Sequence, residues 1–262
     1  MIKLIATDMD GTWLKDDKTY NKKLFAKAFE LMQKNNIKFV IASGNQYENI
    51  FSRFPDTHDQ MYFVAENGAL VARGRQILRI DDLDDELYHT MLKIVKEYDY
   101  PTAVCGLNSA YLLKKDGPEW FEENKKYFKK LKVVDSFDEI NDRIFKVSMV
   151  TGKEDMQQVL TQLREKYPYI GFVSGSEDTI DMAAPRINKA LGLQHLGQKL
   201  GIKPGEMVTF GDSGNDVGML KYAGQSFAMS TALPEAKRAA HEIIGSSEDS
   251  SVQKKIIDLL SN

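Results

Sequence analysis

A chain of 262 residues with 42% hydrophobic and 28% charged residues can bury either one large α/β domain or a core with an insert, and its composition excludes a disordered tract or a disulfide scaffold. The formal net charge of -3 excludes the clustered basic excess that gathers nucleic acid, so no nucleic-acid partner is expected. Cys105 is the single cysteine, which excludes an intramolecular disulfide and any metal site built on several thiolates.

The chain opens on Ile2-Lys3-Leu4-Ile5-Ala6, in which Leu4 to Thr7 reads as a buried strand and no export signal is visible. A helix is predicted at Lys22 to Lys34, with Leu24, Phe25, Ala28, Phe29 and Met32 on one face, followed by a strand at Lys38 to Ala42. A short helix at Tyr47 to Phe54 and a strand at Tyr62 to Ala65 come next, and Asn67-Gly68 signals a hairpin into Leu70-Val71-Ala72. From Asp84 to Ala183 the texture changes to an α+β block. It has helices at Asp85 to Tyr98, Glu119 to Lys130 and Asp155 to Tyr167, and strands near Thr102 to Cys105, Tyr111 to Leu113 and Phe145 to Val150. A hairpin of Ile170 to Ser174 with Thr179 to Met182 completes it. The strand–helix alternation then returns from Lys189 to Leu260. The expected architecture is therefore an α/β core with a Rossmann-like parallel sheet, residues 1–83 and 184–262, carrying an inserted domain at 84–183. The lysines between Lys125 and Lys132 read as a solvated helix face. No apolar run approaches the roughly 20 residues of a membrane span, so a soluble cytoplasmic protein without a membrane partner, a monomer or homodimer, is expected.

The run Asp8-Met9-Asp10-Gly11-Thr12 follows the first strand directly, so Asp8 is placed at the carboxyl end of a sheet strand, where open α/β sheets bind ligands. Taken alone, the run is also what a plain turn after a strand would contain. Gly211-Asp212-Ser213-Gly214-Asn215-Asp216 again follows a strand and opens a helix, Ser43 ends another strand, and Lys189 begins the helix that leads back into the core. Each of these has an ordinary reading as a helix cap or an exposed lysine. Together they bring carboxylates, a hydroxyl and an ammonium to one sheet edge, a donor set for phosphate and a hard cation such as Mg2+, which Asp8 and Asp212 can ligate. A carboxylate is already ionised at neutral pH, so Asp8 needs no base to attack phosphorus; the obstacle is repulsion, which a cation and Lys189 would offset. Asp10, two residues on, can protonate the leaving alkoxide and then activate water, with crowding among the carboxylates helping to hold its proton.

The order of these motifs resembles the haloacid dehalogenase superfamily, and an insert between the Ser43 and Lys189 segments resembles its Cof-type phosphatases with an α/β (type IIB) cap. Within these, Ala42-Ser43-Gly44-Asn45-Gln46-Tyr47 and Phe63-Val64-Ala65-Glu66-Asn67-Gly68-Ala69-Leu70-Val71 look like the bacterial sugar phosphatases. The resemblance implies an aspartyl-phosphate at Asp8, an acid/base at Asp10, and magnesium held by Asp8, the Asp10 backbone carbonyl and Asp212, with Asp216 steadying the metal shell. It also implies phosphate binding by Ser43, Gly44, Lys189 and Asn215. Asn45 departs from the Arg that many relatives carry, and Trp13 replaces a usual Leu. The substrate class implied is a small phosphorylated metabolite, with a sugar phosphate the expectation. Glu66 and Asn67 are either entrance residues or a plain hairpin turn, and Ser174-Gly175-Ser176-Glu177 is one candidate from the insert for reaching the substrate.

Two other functions fit parts of this pattern. A phosphosugar mutase uses the same Asp pair but must grip a second phosphate, which favours arginine, and the insert offers only Arg143 and Arg164. A non-catalytic sensor of a phosphometabolite would bind without turnover, and it need not keep Asp10.

Overall fold

The computed structural model of the protein describes residues 1–174 and 178–261. Its first elements are β1 (Leu4–Thr7), α1 (Lys22–Lys34), β2 (Lys38–Ala42), α2 (Tyr47–Ser52), β3 (Tyr62–Ala65), β4 (Leu70–Arg73) and β5 (Gln76–Ile80). There follow α3 (Asp85–Tyr98), β6 (Thr102–Gly106), β7 (Ala110–Leu113), α4 (Gly117–Asn124), β8 (Leu131–Val134), β9 (Ile144–Val150), α5 (Met156–Lys166), β10 (Gly171–Ser174) and β11 (Thr179–Ala183). The chain ends with α6 (Lys189–Leu200), β12 (Met207–Gly211), α7 (Val217–Tyr222), β13 (Gln225–Met229), α8 (Pro234–Ala239), β14 (Glu242–Ile244) and α9 (Ser251–Ser261). No described helix is long and apolar enough to cross a membrane.

Two compact units form. The first comprises Met1–Ser43, Phe54–Arg79 and Asn188–Asn262, the second Gly44–Arg53 and Ile80–Ile187. In the first, eight strands run in the order β14-β13-β12-β1-β2-β3-β4-β5, parallel from β14 to β3. Burial on both faces explains why the central strands β1, β2, β3 and β12 are predominantly apolar. Leu4, Ala6, Val40 and Val64 pack with Leu193, Leu196 and Met219 of α6 and α7. By the alternation of a strand, Phe39 turns to the other face. There its ring lies 5.9 Å from Phe25 of α1 and 5.3 Å from Trp13. Trp13 is fully buried among Tyr20, Phe25, Phe39 and Phe54, so the aromatic that stands in place of a leucine is accommodated by an aromatic nest.

The sheet of the second unit, β10-β11-β9-β6-β7-β8, is antiparallel except at β7–β8. Val147, Met149, Ile180 and Met182 pack with Leu92 and Val95 of α3 and Val159 and Leu163 of α5. The residues between them, Lys146, Ser148 and Asp181, alternate to the other face and are buried nonetheless.

The structure corrects the sequence expectation at four places. Residues 44–53, expected in the core segment 1–83, group with the second unit. The Gln46 side chain donates to Lys130 O and accepts from the N–H groups of Lys129 and Lys130, and Asn49 donates to Tyr127 O. The same contacts explain why the helix expected over Glu119 to Lys130 stops at Asn124: the Gln46 amide claims the backbone of Lys129 and Lys130, and Leu131–Val134 leaves as an edge strand. Strand β5, unforeseen, extends the β3–β4 hairpin at the sheet edge, where partial exposure erases the apolar signal. The hairpin itself turns through four residues, Glu66 to Ala69, rather than through Asn67-Gly68 alone. Residues 175–177, which include most of the Ser174–Glu177 candidate, lie outside the described residues.

Candidate active site

Strand register fixes who meets whom at the carboxyl edge of the first sheet. Thr7 is level with Phe210 on β12 and with Ile41 on β2, so Asp8, Asp212 and Ser43 all leave the sheet at that edge. Asp8 is anchored by its own backbone, whose N–H donates to Phe210 O at 3.0 Å. Gly11 adopts φ +77°, and a Cβ there would fall 2.5 Å from Asp212 Oδ2, so glycine is what lets the loop after Asp8 close onto Asp212. Thr12 completes that closure, its hydroxyl donating to Asp212 Oδ1 at 2.8 Å.

Lys189 is the first residue of α6, whose entry is capped by Asn188, with Asn188 Oδ1 accepting from Leu191 N–H. Its ammonium is wholly buried and donates to Asp8 Oδ1 at 2.5 Å and Asp216 Oδ1 at 2.7 Å. The other oxygen of Asp216 accepts from the N–H groups of Asp212 and Ser213, at 2.9 and 3.0 Å. Asp216 thus spends one oxygen on the lysine and the other on the backbone of the Asp212 loop. Asp8, Asp212 and Asp216 bring carboxylate oxygens within 4.8 Å of one another.

Three carboxylates against one ammonium leave this buried cluster short of positive charge. The titration directions express it. Burial pushes Asp8 well above the carboxylate range against the pull of Lys189, with the charges of Asp216 and Asp212 adding to the rise. Burial, then Asp216, pushes Asp212 up to about 6, against the Thr12 hydrogen bond and Lys189. Burial opposes the charge on Lys189, but Asp216 and Asp8 outweigh it and hold its proton more tightly than usual. An all-oxygen donor set with excess negative charge, Asp8, Asp212 and Asp216, fits a hard divalent cation and could hold one, while Asp216 also binds Lys189 and the Asp212 backbone.

The remaining expected residues divide. Ser43 is buried, its N–H donating to Val64 O, and Asn215 donates to Asn67 Oδ1 at 3.1 Å. Gly44 begins the segment that groups with the second unit, its carbonyl accepting from Lys146 Nζ at 3.1 Å. The Asp10 side chain stands 43% exposed and pairs with Lys18 at 2.7 Å, so the carboxylate crowding expected to hold its proton falls instead on Asp8, Asp212 and Asp216. Sequence reading passed over Thr12 as a partner of Asp212, although its place in the five-residue run was the available signal. It also gave no hint of Lys18, whose φ of 62° belongs to a turn that only the folded loop defines.

Against known proteins, a model of the haloacid dehalogenase-like hydrolases matches residues 5–256. The 5-amino-6-(5-phospho-D-ribitylamino)uracil phosphatase YbjI of Escherichia coli (strain K12) is 39% identical over 251 residues, 94% of this chain and 91% of that protein. Among solved structures, SMU.1108c from Streptococcus mutans UA159 superposes with a TM-score of 0.94 at 30% identity over the whole of both chains. A subclass IIB sugar phosphatase of the superfamily shares the fold, with a TM-score of 0.83 at 19% identity and 98% of each chain covered. This chain therefore belongs to the haloacid dehalogenase-like hydrolases, as a phosphatase of phosphoric monoesters.

Proposed function

We propose that the protein is a magnesium-dependent phosphatase of small, sugar-like phosphate monoesters that works through an aspartyl-phosphate on Asp8. The observation that carries this reading is the Lys189 ammonium held between Asp8 and Asp216 beside Asp212, a cluster that lacks one divalent cation of neutrality. Magnesium would supply charge neutralisation at the phosphoryl oxygens, held by Asp8, Asp212 and the Asp10 carbonyl. Asp8 attacks phosphorus as its carboxylate, and the bond from phosphorus to the ester oxygen breaks. Asp10 gives that oxygen a proton, then takes one from the water that cleaves the acyl phosphate. Its pairing with Lys18 is exposed on both sides, worth at most about 1 kcal/mol, and so does not hold it away from a substrate. Lys189 offsets the repulsion between Asp8 and the incoming phosphate, while Ser43, Gly44 and Asn215 bind its oxygens and Asp216 steadies the shell.

The insert, residues 84–183 in the sequence reading, is assigned the choice of leaving group, and the reaction is assigned to the cytoplasm. The YbjI relative is named for a phosphate ester of a ribityl chain on a uracil, which makes that ester the first to try, ahead of hexose and pentose phosphates. The mutase alternative loses ground: Arg143 binds Asp82 through two nitrogens at 2.8 Å each, and Arg164 donates to Phe172 O, so both arginines of the insert already have partners. The test is phosphate release from a panel of polyol, sugar, nucleotide, flavin and pyridoxal phosphates, with and without Mg2+, for the wild type and Asp8→Asn. Magnesium-dependent release that Asp8→Asn abolishes is expected; release by Asp8→Asn, or none from any ester, overturns the reading.

A further inference from the structure

At the corner between β3 and β4 the segments carrying Ser43, Lys189 and Asn215 all touch a fourth. Asn67 donates its backbone N–H to Ser43 O at 3.1 Å, and its side-chain oxygen accepts from Asn215 Nδ2 at 3.1 Å. Gly68, the next residue, lies so close to the entry of α6 that a Cβ would fall 2.2 Å from Asn188 O. Gly192 of α6 lies against the same corner, where a Cβ would come within 2.4 Å of Val64 and 3.3 Å of Gly68 Cα.

The backbone pays for this meeting. Glu66, Asn67 and Gly68 have φ of 50°, 56° and 107°, and both Glu66 and Asn67 are buried. Two successive non-glycine residues in the left-handed region are uncommon, and such conformations persist where surrounding structure demands them. An Asn-Gly hairpin serving only as a turn would lie on the surface and would have no need to bury its amide.

The Asn215 amide is a planar group held at two points. Its oxygen accepts from Ser213 Oγ at 2.7 Å, and one of its two N–H bonds goes to Asn67. With both fixed, the direction of the second N–H is fixed as well. We infer that Asn67 is a positioning residue for phosphoryl binding: it aims the remaining N–H of Asn215 at a phosphate oxygen and ties that donor to Ser43 through its own backbone. This rests on the phosphate-binding role of Asn215 in the function proposed above.

The test separates the amide from the turn. Asn67→Gly keeps the left-handed backbone and removes the amide, whereas Asn67→Ala removes the amide and strains the backbone as well. Inorganic phosphate is titrated into each protein in the presence of Mg2+, p-nitrophenyl phosphate hydrolysis gives kcat and KM, and melting temperatures are recorded. A positioning role predicts that both variants weaken phosphate binding and raise KM about tenfold, the scale of one hydrogen bond to a charged ligand, although Asn67→Gly melts near the wild type and Asn67→Ala lower. In the cycle with Asn215→Ala, the double variant Asn67→Gly/Asn215→Ala is no weaker than Asn215→Ala alone. Phosphate affinity of Asn67→Gly equal to wild type, or losses that simply multiply in the double variant, would overturn the inference. Asp8→Asn is carried alongside: turnover by it would sink the proposed nucleophile, while the phosphate titrations would still decide Asn67.

Discussion

Each of the two units buries a lysine against at least one carboxylate, and the two sites differ in the charges they bring together. On the second unit's sheet, Lys146 pairs with Asp181 at 2.8 Å, and Ser148 donates to the other oxygen of Asp181 at 2.5 Å. Within this pair one positive charge meets one negative charge. At the edge of the first sheet, Lys189 meets two carboxylates with a third beside them, and burial drives two of the three toward protonation. A closed pair asks for nothing further, whereas an open one is stabilised by whatever brings the missing charge. Buried ionisable groups therefore point to a ligand when they fail to balance, and the presence of an ion pair alone does not.

The comparison can be broken from either side. The largest effect is expected at Asp8→Asn, which removes the nucleophile and should lower phosphate release by at least about a thousandfold, measured at saturating ester and Mg2+. Lys189→Met strands two wholly or nearly buried carboxylates and should cost about 3–5 kcal/mol in urea unfolding without metal, with part of the loss recovered on adding Mg2+. Lys146→Met should cost a similar amount or less, about 3 kcal/mol, but with no recovery by Mg2+, and pairing it with Asp181→Leu should restore most of the loss because no charge is then left unpartnered. Equal rescue of Lys146→Met and Lys189→Met by Mg2+ would erase the distinction between open and closed clusters. Mg2+ should raise the melting temperature of the wild type by a few degrees, and Asp212→Asn should abolish that rise. Arg143→Ala, which breaks an ion pair of which the arginine is 50% exposed, should shift stability by less than about 1 kcal/mol.

The chemistry was more legible than the choice of substrate because the two rest on different kinds of signal. Asp8, Asp212 and Ser43 each end a strand whose apolar run is plain in the chain, and in a parallel sheet strand ends that follow the same direction share an edge. Asp10 shows the limit of that reasoning: its position in the run was clear, but its carboxylate took an exposed partner, Lys18, from a turn with no sequence signature. The second unit has no such markers. Lys146, Ser148 and Asp181 look like ordinary polar residues of half-exposed strands until β9 and β11 pair and bury them.

From the residues alone came the alternation of strands and helices and the strand-end placement of Asp8, Ser43 and Asp212, with Lys189 at the head of α6. These are local properties, set by side-chain period, capping and the reach of a few residues. Tertiary structure decided that Lys189 bridges Asp8 and Asp216, that Gln46 draws residues 44–53 to the second unit, and that the Asn67-Gly68 corner joins three distant segments. Those contacts link residues from 24 to 181 positions apart, and a one-dimensional pattern carries no record of which buried donor will face which acceptor until the sheet register sets them side by side.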